Sequence, residues 1–291
     1  MSGPARPRLV FLGLPRTGKS TFLGAFWALV QSPAEPAVRE TRFGGDRSYV
    51  QKLADQVARG DALDRTALDA SEELAVEVDF EPGGVADLLI PDTSGESLRV
   101  LAEQRIWYPN LLAACTQATA ILMFVHPDRL RMPQRIAVTS GGEPAPEPER
   151  SPEHVDFHPP DGVAFQAQEH TSTAAQLIDV FENLSELWSD RRPIRVGVVV
   201  SAWDRVVGEP KPTPYAWLAA RLPGTLATLE SNRDVADFEV FGVSAQGGDF
   251  TAGLPAELAG EDPWDRAYVI APSGQRDTLA APIIWLLDAV S

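Results

Sequence analysis

The chain has 291 residues, 44% of them hydrophobic, so it is long enough to bury a full core in one large domain or two small ones. Its formal net charge of −16 repels the phosphates of nucleic acids and anionic lipid surfaces, which argues against both as main partners and favours a nucleotide or a protein. The single cysteine, Cys115, cannot form an internal disulfide, and residues 1–13 lack the apolar run and cleavage site of a signal peptide. No apolar stretch approaches the roughly 18 to 20 residues that span a bilayer, so a cytoplasmic location is expected.

Short apolar runs bounded by turn residues predict the strands of the fold. Six such runs lie at residues 8–12, 74–80, 86–90, 120–125, 194–200 and 238–243. Helical patterns lie between most of them, at residues 19–30, 98–114, 172–189, 215–230 and 279–290. The alternation of strand and helix predicts an α/β sandwich, with a mainly parallel six-stranded sheet and helices on both faces.

Three stretches interrupt this alternation and predict insertions into a single domain that covers residues 1–291. They lie at residues 32–73, 128–171 and 247–268. The first contains a polar, helix-like segment, whereas the second contains GGEPAPEPERSPEHVDFHPP, whose prolines and charges lack periodicity and predict a flexible insertion. No metal site is predicted from the histidines of this second stretch, because they have no cysteine partners. These histidines are His154, His158 and His170.

The first predicted strand runs directly into GLPRTGKST, which matches the phosphate-loop pattern G-x-x-x-x-G-K-[ST] at residues 13–20. A strand before the motif and a helix after it are the context that this pattern requires. Its glycines let backbone N–H groups curl around phosphates, Lys19 is expected to reach the β- and γ-phosphates, and Ser20 to supply an oxygen to Mg²⁺. The predicted phosphate-binding residues are Gly13, Pro15, Arg16, Thr17, Gly18, Lys19, Ser20 and Thr21.

Three shorter patterns follow at predicted strand ends, in the order that GTPases have them. Asp92-Thr-Ser-Gly95 matches D-x-x-G, in which the aspartate faces Mg²⁺ and the glycine N–H meets the γ-phosphate. Ser201-Ala-Trp-Asp204 stands where GTPases place N-K-x-D, and its carboxylate is suited to accept the N1–H and N2–H bonds of guanine, a donor pair that adenine lacks. Ser244-Ala245-Gln246 is like the S-A-K element, whose backbone reads the guanine oxygen. The carboxyl ends of parallel strands form a common ligand-binding edge.

With these motifs the chain resembles the TRAFAC class of GTPases, and within it the bacterial double-GTPase group of predicted conflict-system proteins. The resemblance spans nearly the whole chain and depends on GLPRTGKST, DTSGE, SAWD and SAQ, together with PNLLAACTQATAILMFV and the closing APIIWLL. It implies a Ras-like fold, bound Mg²⁺, GTP or GDP as ligand, GTP hydrolysis, and a switch whose nucleotide state protein partners read. Ser201 replaces the usual asparagine and Ala202 the base-covering lysine, so reduced guanine affinity is expected, with Trp203 as the candidate for added nucleotide-contacting surface.

The resemblance also assigns candidates for the switch and for catalysis. Thr66 is the expected switch threonine, Thr41 is its competitor, and a simple helix cap at Thr66 is a further interpretation. Glu96 follows D-x-x-G where Ras-like enzymes have their water-orienting glutamine, and it either holds water or merely begins the next helix. Arg16 stands where potassium-dependent relatives have an asparagine, and its guanidinium is either an internal arginine finger or a peripheral surface group. The predicted catalytic residues are Lys19, Arg16, Glu96 and Thr66, and the predicted metal ligands are Ser20, Thr66 and Asp92.

These patterns predict a magnesium-dependent GTP hydrolase, slow without a partner, that works as a switch on protein partners in a bacterial conflict or defence system. The altered SAWD element and Glu96 keep open a nucleotide-binding scaffold with little hydrolysis. A P-loop kinase or ATPase is the other alternative, which the Asp204 and Ser244 elements disfavour. The sequence leaves open whether nucleotide drives homodimerisation.

Overall fold

The computed structural model describes residues 6–32, 38–44, 47–61, 74–81, 84–91, 95–132, 171–190, 193–208, 210–250 and 253–288. The strands within these ranges are β1 (Arg8–Gly13), β2 (Val38–Gly44), β3 (Leu74–Phe80), β4 (Gly84–Ile90), β5 (Ala120–Val125), β6 (Ile194–Val200), β7 (Ala236–Ser244), β8 (Tyr268–Ile270) and β9 (Arg276–Asp277). The helices are α1 (Lys19–Val30), α2 (Arg47–Arg59), α3 (Glu96–Gln104), α4 (Pro109–Gln117), α5 (Thr173–Trp188), α6 (Pro214–Arg221), α7 (Pro223–Ser231), α8 (Pro263–Arg266) and α9 (Ala281–Leu287).

All of these strands form one sheet with the order β2-β3-β4-β1-β5-β6-β7-β8-β9. Its centre, β4-β1-β5-β6-β7, is parallel, and antiparallel pairs extend it at both edges. Central strands such as AILMFV in β5 are buried along their whole length, as expected where helices cover both faces of a parallel sheet. In register, Gly13 of β1 pairs with Phe124 of β5, and Val125 pairs with Val200 of β6. The ends of these strands therefore meet at one edge of the sheet.

Two apolar cores lie against the sheet, and together they make a three-layer α/β sandwich. One core packs α1, α2 and α9 on the sheet through residues such as Phe26, Leu53 and Ile283. The other packs α3, α4, α5, α6 and α7, with Leu101 and Leu184 among its fully buried side chains. No helix in the described ranges has the length and apolarity to cross a bilayer. The predicted α/β class, with helices on both faces of a parallel central sheet, is confirmed.

The predicted count of six strands is wrong, because the sheet has nine in the described residues. All six predicted strands are present, and β2, β8 and β9 are the additional ones. The sequence of β2, VRETRFG, has no apolar alternation, since this strand lies at an edge of the sheet and pairs only with β3. β8 and β9 have three and two residues, too few for a periodic signal. The stretch 32–73, expected to be an insertion, thus supplies both β2 and α2 to the packed layers.

Two predicted helices are each divided into two. Residues 98–114 form α3 and α4, because Arg105 takes a left-handed conformation with φ 56° and Pro109 starts a new helix. Residues 215–230 form α6 and α7, and the break is at Leu222, directly before Pro223. The apolar periodicity continues across both breaks, whereas proline and backbone conformation end the helices.

Candidate functional site

The phosphate loop joins the end of β1 to the start of α1. Gly18 has φ 90°, a left-handed conformation that glycine adopts without strain, and it directly precedes the helix. The Lys19 side chain is 4% exposed, and its Nζ donates hydrogen bonds to the carbonyl oxygens of Gly13 at 2.6 Å and Leu14 at 3.3 Å. Thr17 Oγ1 donates to the same Leu14 oxygen at 2.8 Å. The loop therefore curls around the ammonium group, at the helix N-terminus where a phosphate is favoured.

Gly95, the glycine of the D-x-x-G pattern, packs directly on the phosphate loop. It has φ 81° and precedes α3. A Cβ atom at this position would lie 2.6 Å from the Gly13 oxygen and 2.7 Å from the nitrogen of Pro15. Only glycine allows this approach, because any larger side chain would overlap the loop. The structure thus brings two sequence motifs that are far apart in the chain into backbone contact.

The SAWD element begins next to the phosphate loop. Ser201 Oγ donates to the Val125 carbonyl oxygen at 3.0 Å, and the Ser201 backbone N–H donates to the same oxygen at 2.9 Å. A Cβ atom at Gly18 would lie 3.0 Å from Cβ and from Oγ of Ser201. Ser201 thus joins the ends of β5 and β6 and touches the phosphate loop, although its short side chain replaces the expected asparagine.

Asp204 and the SAQ element meet in a small cavity of about 160 Å³ at the same edge. Ser244 is fully buried, and its Oγ donates a 2.5 Å hydrogen bond to Asp204 Oδ1 while accepting one from the Gly247 N–H at 3.2 Å. The Gln246 side-chain nitrogen is buried without a hydrogen-bond partner among the described residues. The cavity is lined by Gly18, Thr21, Ser201, Asp204, Ala245 and Gln246. It therefore contains a fixed carboxylate and a buried amide nitrogen, groups suited to a polar heterocycle.

Trp203 supports this cavity from beneath, which corrects the expectation that it adds nucleotide-contacting surface. Its ring is 1% exposed and packs so closely on Gly242 of β7 that any Cβ there would overlap the ring. Lys211 Nζ lies 5.5 Å from the centre of the Trp203 ring. Burial lowers the pKa of Lys211, and the nearby charge of Asp204 opposes this shift. The ring is taken up by the core because its neighbour on β7 is a glycine.

Two arginines that the sequence patterns did not single out make contacts at or near the cavity: Arg205 lines it, and the Arg266 guanidinium lies 5.3 Å from the ring centre of Phe250, which also lines it. Arg205, which directly follows the SAWD element, forms ion pairs with both Asp128 and Asp249. Arg266 is 2% exposed, and its Nη2 donates to the carbonyl oxygens of Val57 and Ala58 at 2.6 and 2.9 Å. Arg205 could have been identified from the sequence, because it directly follows the SAWD element. Arg266 has no such signal, since its partners are more than 200 residues away in the chain.

The outer face of the phosphate loop borders a second, larger cleft of about 490 Å³. Arg16 has φ 62°, is exposed, and lines this cleft rather than the cavity that contains Asp204. Glu96 is the first residue of α3 and forms an ion pair with Arg99, whose Nη2 lies 2.6 Å from the carboxylate. Both predicted catalytic candidates thus lie beside the loop, and Glu96 begins a helix where an acidic side chain is favoured.

The candidate switch threonines and metal ligands lie in different parts of the chain. Thr66 and Asp92 lie outside the described residues, as do the three histidines of the proline-rich segment. Thr41 is on β2, where its Oγ1 donates to the Glu77 carboxylate at 2.6 Å. No cluster of acidic, histidine or cysteine side chains suited to a metal occurs in the described ranges. Ser20 is half-buried in the first turn of α1, directly after Lys19.

Comparisons with known proteins find one matching sequence family and several solved structures that are similar to this chain. The sequence model of the family Double-GTPase 1 matches residues 10–286. No curated protein matches the chain. Among solved structures, putative nucleolar GTP-binding protein 1 from Plasmodium falciparum aligns over 83% of this chain and 79% of its own, with 10% identity and a TM-score of 0.37.

Two further solved structures align with this chain. The signal recognition particle receptor SRb-GTP/SRX complex from Chaetomium thermophilum covers 82% of this chain and 91% of its own, with 16% identity and a TM-score of 0.38. Sup35 complexed with GDP covers 89% of this chain and 42% of its own, with 14% identity and a TM-score of 0.34.

Proposed function

The chain belongs to the Double-GTPase 1 family, and from this membership together with the site geometry we propose that it is a magnesium-dependent GTP hydrolase that acts as a conformational switch on protein partners. The resemblance to the double-GTPase group is confirmed by the family match over residues 10–286. A role in a bacterial conflict or defence system is proposed as well, because the double-GTPase group that the chain resembles is a group of predicted conflict-system proteins.

The pairing of Asp204 with Ser244 is the observation that carries the proposal of guanine binding. Ser244 Oγ donates to Asp204 Oδ1 at 2.5 Å, which fixes the carboxylate in the cavity that Gly18 of the phosphate loop also lines. A fixed carboxylate with free lone pairs accepts two N–H donors on one edge of guanine, whereas adenine presents an acceptor there. The buried Gln246 nitrogen supplies a donor for a carbonyl oxygen on the same ligand.

Hydrolysis is proposed to depend on positioning and charge, with little covalent chemistry by the protein. Lys19 is the group that would meet the β- and γ-phosphates, and Ser20 would hold Mg²⁺ together with Asp92 and a switch threonine. The metal, when bound, neutralises charge that develops on the phosphate oxygens. The Gly95 N–H would meet the γ-phosphate, and the contact of Gly95 with the loop supports this role.

The switch is proposed to include Gly95 and the start of α3. Because Gly95 lies against Gly13 and Pro15, movement of the loop around a phosphate also moves the start of α3. A partner that binds α3 would then distinguish the two nucleotide states.

A nucleotide-binding scaffold with little hydrolysis is the second candidate, and one contact favours it. The Glu96 carboxylate accepts hydrogen bonds from Arg99, with Nε at 2.8 Å and Nη2 at 2.6 Å. This pairing orients the carboxylate toward Arg99, so it is poorly placed to orient a water. The same contact supports a low intrinsic rate in the main proposal.

Binding and hydrolysis by the purified protein test the two candidates separately. Displacement of a fluorescent GDP analogue by GTP and by ATP, each with and without Mg²⁺, measures base preference and metal dependence. Single-turnover hydrolysis of GTP then measures the rate of the hydrolytic step. Preferential displacement by GTP with slow, Mg²⁺-dependent release of phosphate is expected. GTP binding without hydrolysis would favour the scaffold, and equal displacement by ATP would contradict guanine recognition.

A further inference from the structure

The cleft on the outer face of the phosphate loop is unusual in charge for so acidic a protein. Four arginines line it, from the phosphate loop, from α3 and from the turn after β5, against a single glutamate among the described lining residues. The arginines are Arg16, Arg99, Arg129 and Arg131. This concentration of positive charge is opposite in sign to the net charge of the whole chain, which is −16. Clefts lined by one sign of charge focus the field and attract ligands of the opposite sign.

The charges of the cleft are available to a ligand to different degrees. Arg99 is paired with Glu96, so these two side chains nearly cancel. Arg16 and Arg129 have exposed side chains. Burial keeps the pKa of His126, on the cleft wall, below its ordinary value, which disfavours the charged form of this ring. Guanidinium groups form paired hydrogen bonds with planar carboxylates, and the rim is therefore suited to acidic side chains.

The floor of the cleft has a different chemistry from its rim. Leu14 and Leu177 are buried at 7% and 2% exposure, and the half-buried Leu130 lies beside them. A bare phosphate or a sugar gains nothing from such a floor, whereas an apolar side chain is stabilised by burial there. An apolar floor below a cationic rim matches a peptide in which an apolar residue is flanked by acidic ones.

The backbone around the cleft is held firmly enough to form a preorganised site. The Arg131 N–H donates to Thr173 Oγ1 at 2.8 Å, and the Thr173 N–H donates to the Arg131 oxygen at 3.0 Å. Gln176, 4% exposed, donates through Nε2 to Glu103 at 3.0 Å. These contacts tie the turn after β5 to the start of α5 and α5 to α3, which reduces the ordering that a bound peptide would require.

We propose that this cleft binds an acidic segment of a partner protein, with an apolar side chain on Leu14, Leu130 and Leu177 and carboxylates on Arg16, Arg129 and Arg131. The cleft adjoins the cavity that contains Asp204, since Phe124 and His126 line both, but Arg16, Arg129 and Arg131 line only the cleft.

The test uses the full-length, nucleotide-free protein and three labelled peptides that differ in one property each. The first has a central leucine flanked on both sides by glutamates, the second has glutamines in place of the glutamates, and the third has serine in place of the leucine. Fluorescence anisotropy measures binding to the parent protein and to the double variant Arg129→Ala, Arg131→Ala. The matched control is Arg221→Ala, an exposed arginine at the end of α6 that does not line the cleft.

The acidic leucine peptide is expected to bind the parent and the Arg221→Ala control equally, and the double variant at least about tenfold more weakly, since charge-assisted hydrogen bonds are lost. Both altered peptides are expected to bind the parent more weakly than the first. Equal binding of the glutamate and glutamine peptides, or unchanged binding by the double variant, would overturn the proposal. If leucine and serine peptides bind equally, the cleft takes anions without an apolar anchor and the assigned ligand class is wrong. Binding that appears only after removal of residues 141–160 would assign the cleft to the chain's own acidic segment instead of a partner.

Discussion

The phosphate side and the base side of the candidate site are built in different ways. The phosphate loop is a contiguous segment whose glycines, lysine and hydroxyls follow one uninterrupted pattern, and its contacts use main-chain carbonyls. The base side combines side chains from three segments, with Asp204 held by Ser244 and Arg205 bridging Asp128 and Asp249. The first arrangement depends on exact local spacing. The second depends on contacts between segments that are distant in the chain.

Substitution of Lys19 is expected to have the largest effect, because it removes a buried charge from the phosphate side. Lys19→Ala should weaken the binding of GTP and of GDP by about 2 to 5 kcal/mol, the usual cost of losing one member of a buried charged pair. Calorimetric titration with both nucleotides measures this loss. Lys52→Ala, an exposed lysine on α2, is the control that should bind normally. Undiminished binding by the Lys19 variant would refute the phosphate-loop assignment.

Substitution of Asp204 separates the base side from the phosphate side. Asp204→Asn places a donor where guanine presents its own N–H donors, so GTP affinity should fall by about 1 to 3 kcal/mol while ATP affinity changes little. Competition of GTP and ATP against a fluorescent GDP analogue gives both values for the variant and for the exposed control Asp234→Asn. Equal losses for the two nucleotides would mean that Asp204 does not read the base.

Gly242 tests whether Trp203 supports the base side from within the core. In Gly242→Ala the added methyl group overlaps the Trp203 ring, and overpacking of this kind destabilises a protein by about 1 to 3 kcal/mol. Urea unfolding measures the free energy of unfolding, and displacement of the GDP analogue measures the affinity for guanine nucleotides. The control Gly260→Ala adds a methyl group where nothing lies within 4 Å. A variant as stable as the parent would show that the ring can move without loss.

Substitution of Arg16 is expected to affect turnover alone. If it serves as an internal arginine finger, Arg16→Ala should lower the hydrolysis rate by at least about tenfold with little change in GTP affinity. Hydrolysis by the parent should then be indifferent to exchange of sodium for potassium, and Arg16→Asn should restore activity only in potassium. An unchanged rate in Arg16→Ala, or potassium dependence of the parent, would show that Arg16 lines the outer cleft without a role in hydrolysis.

Sequence periodicity located six of the nine described strands and most of the described helices, but it failed where the signal was short or interrupted. β8 and β9 are too short for a pattern, and β2 has a polar sequence because it lies at the sheet edge. At Arg105 and before Pro223 the apolar pattern continues while the helix ends. Periodicity reports which faces are buried, whereas helix boundaries depend on individual dihedral angles and prolines.

The sequence by itself determined the phosphate loop and the order of the motifs, because backbone N–H groups bind phosphate only when glycine, lysine and hydroxyl residues stand at fixed local spacing. Only the tertiary structure decided which distant residues meet. It placed Gly95 on the phosphate loop, buried Trp203 against Gly242, and set Arg266 on the end of α2. It also gathered arginines from three segments into the outer cleft. Such contacts join residues far apart in the chain, and local sequence has no periodicity or spacing that encodes them.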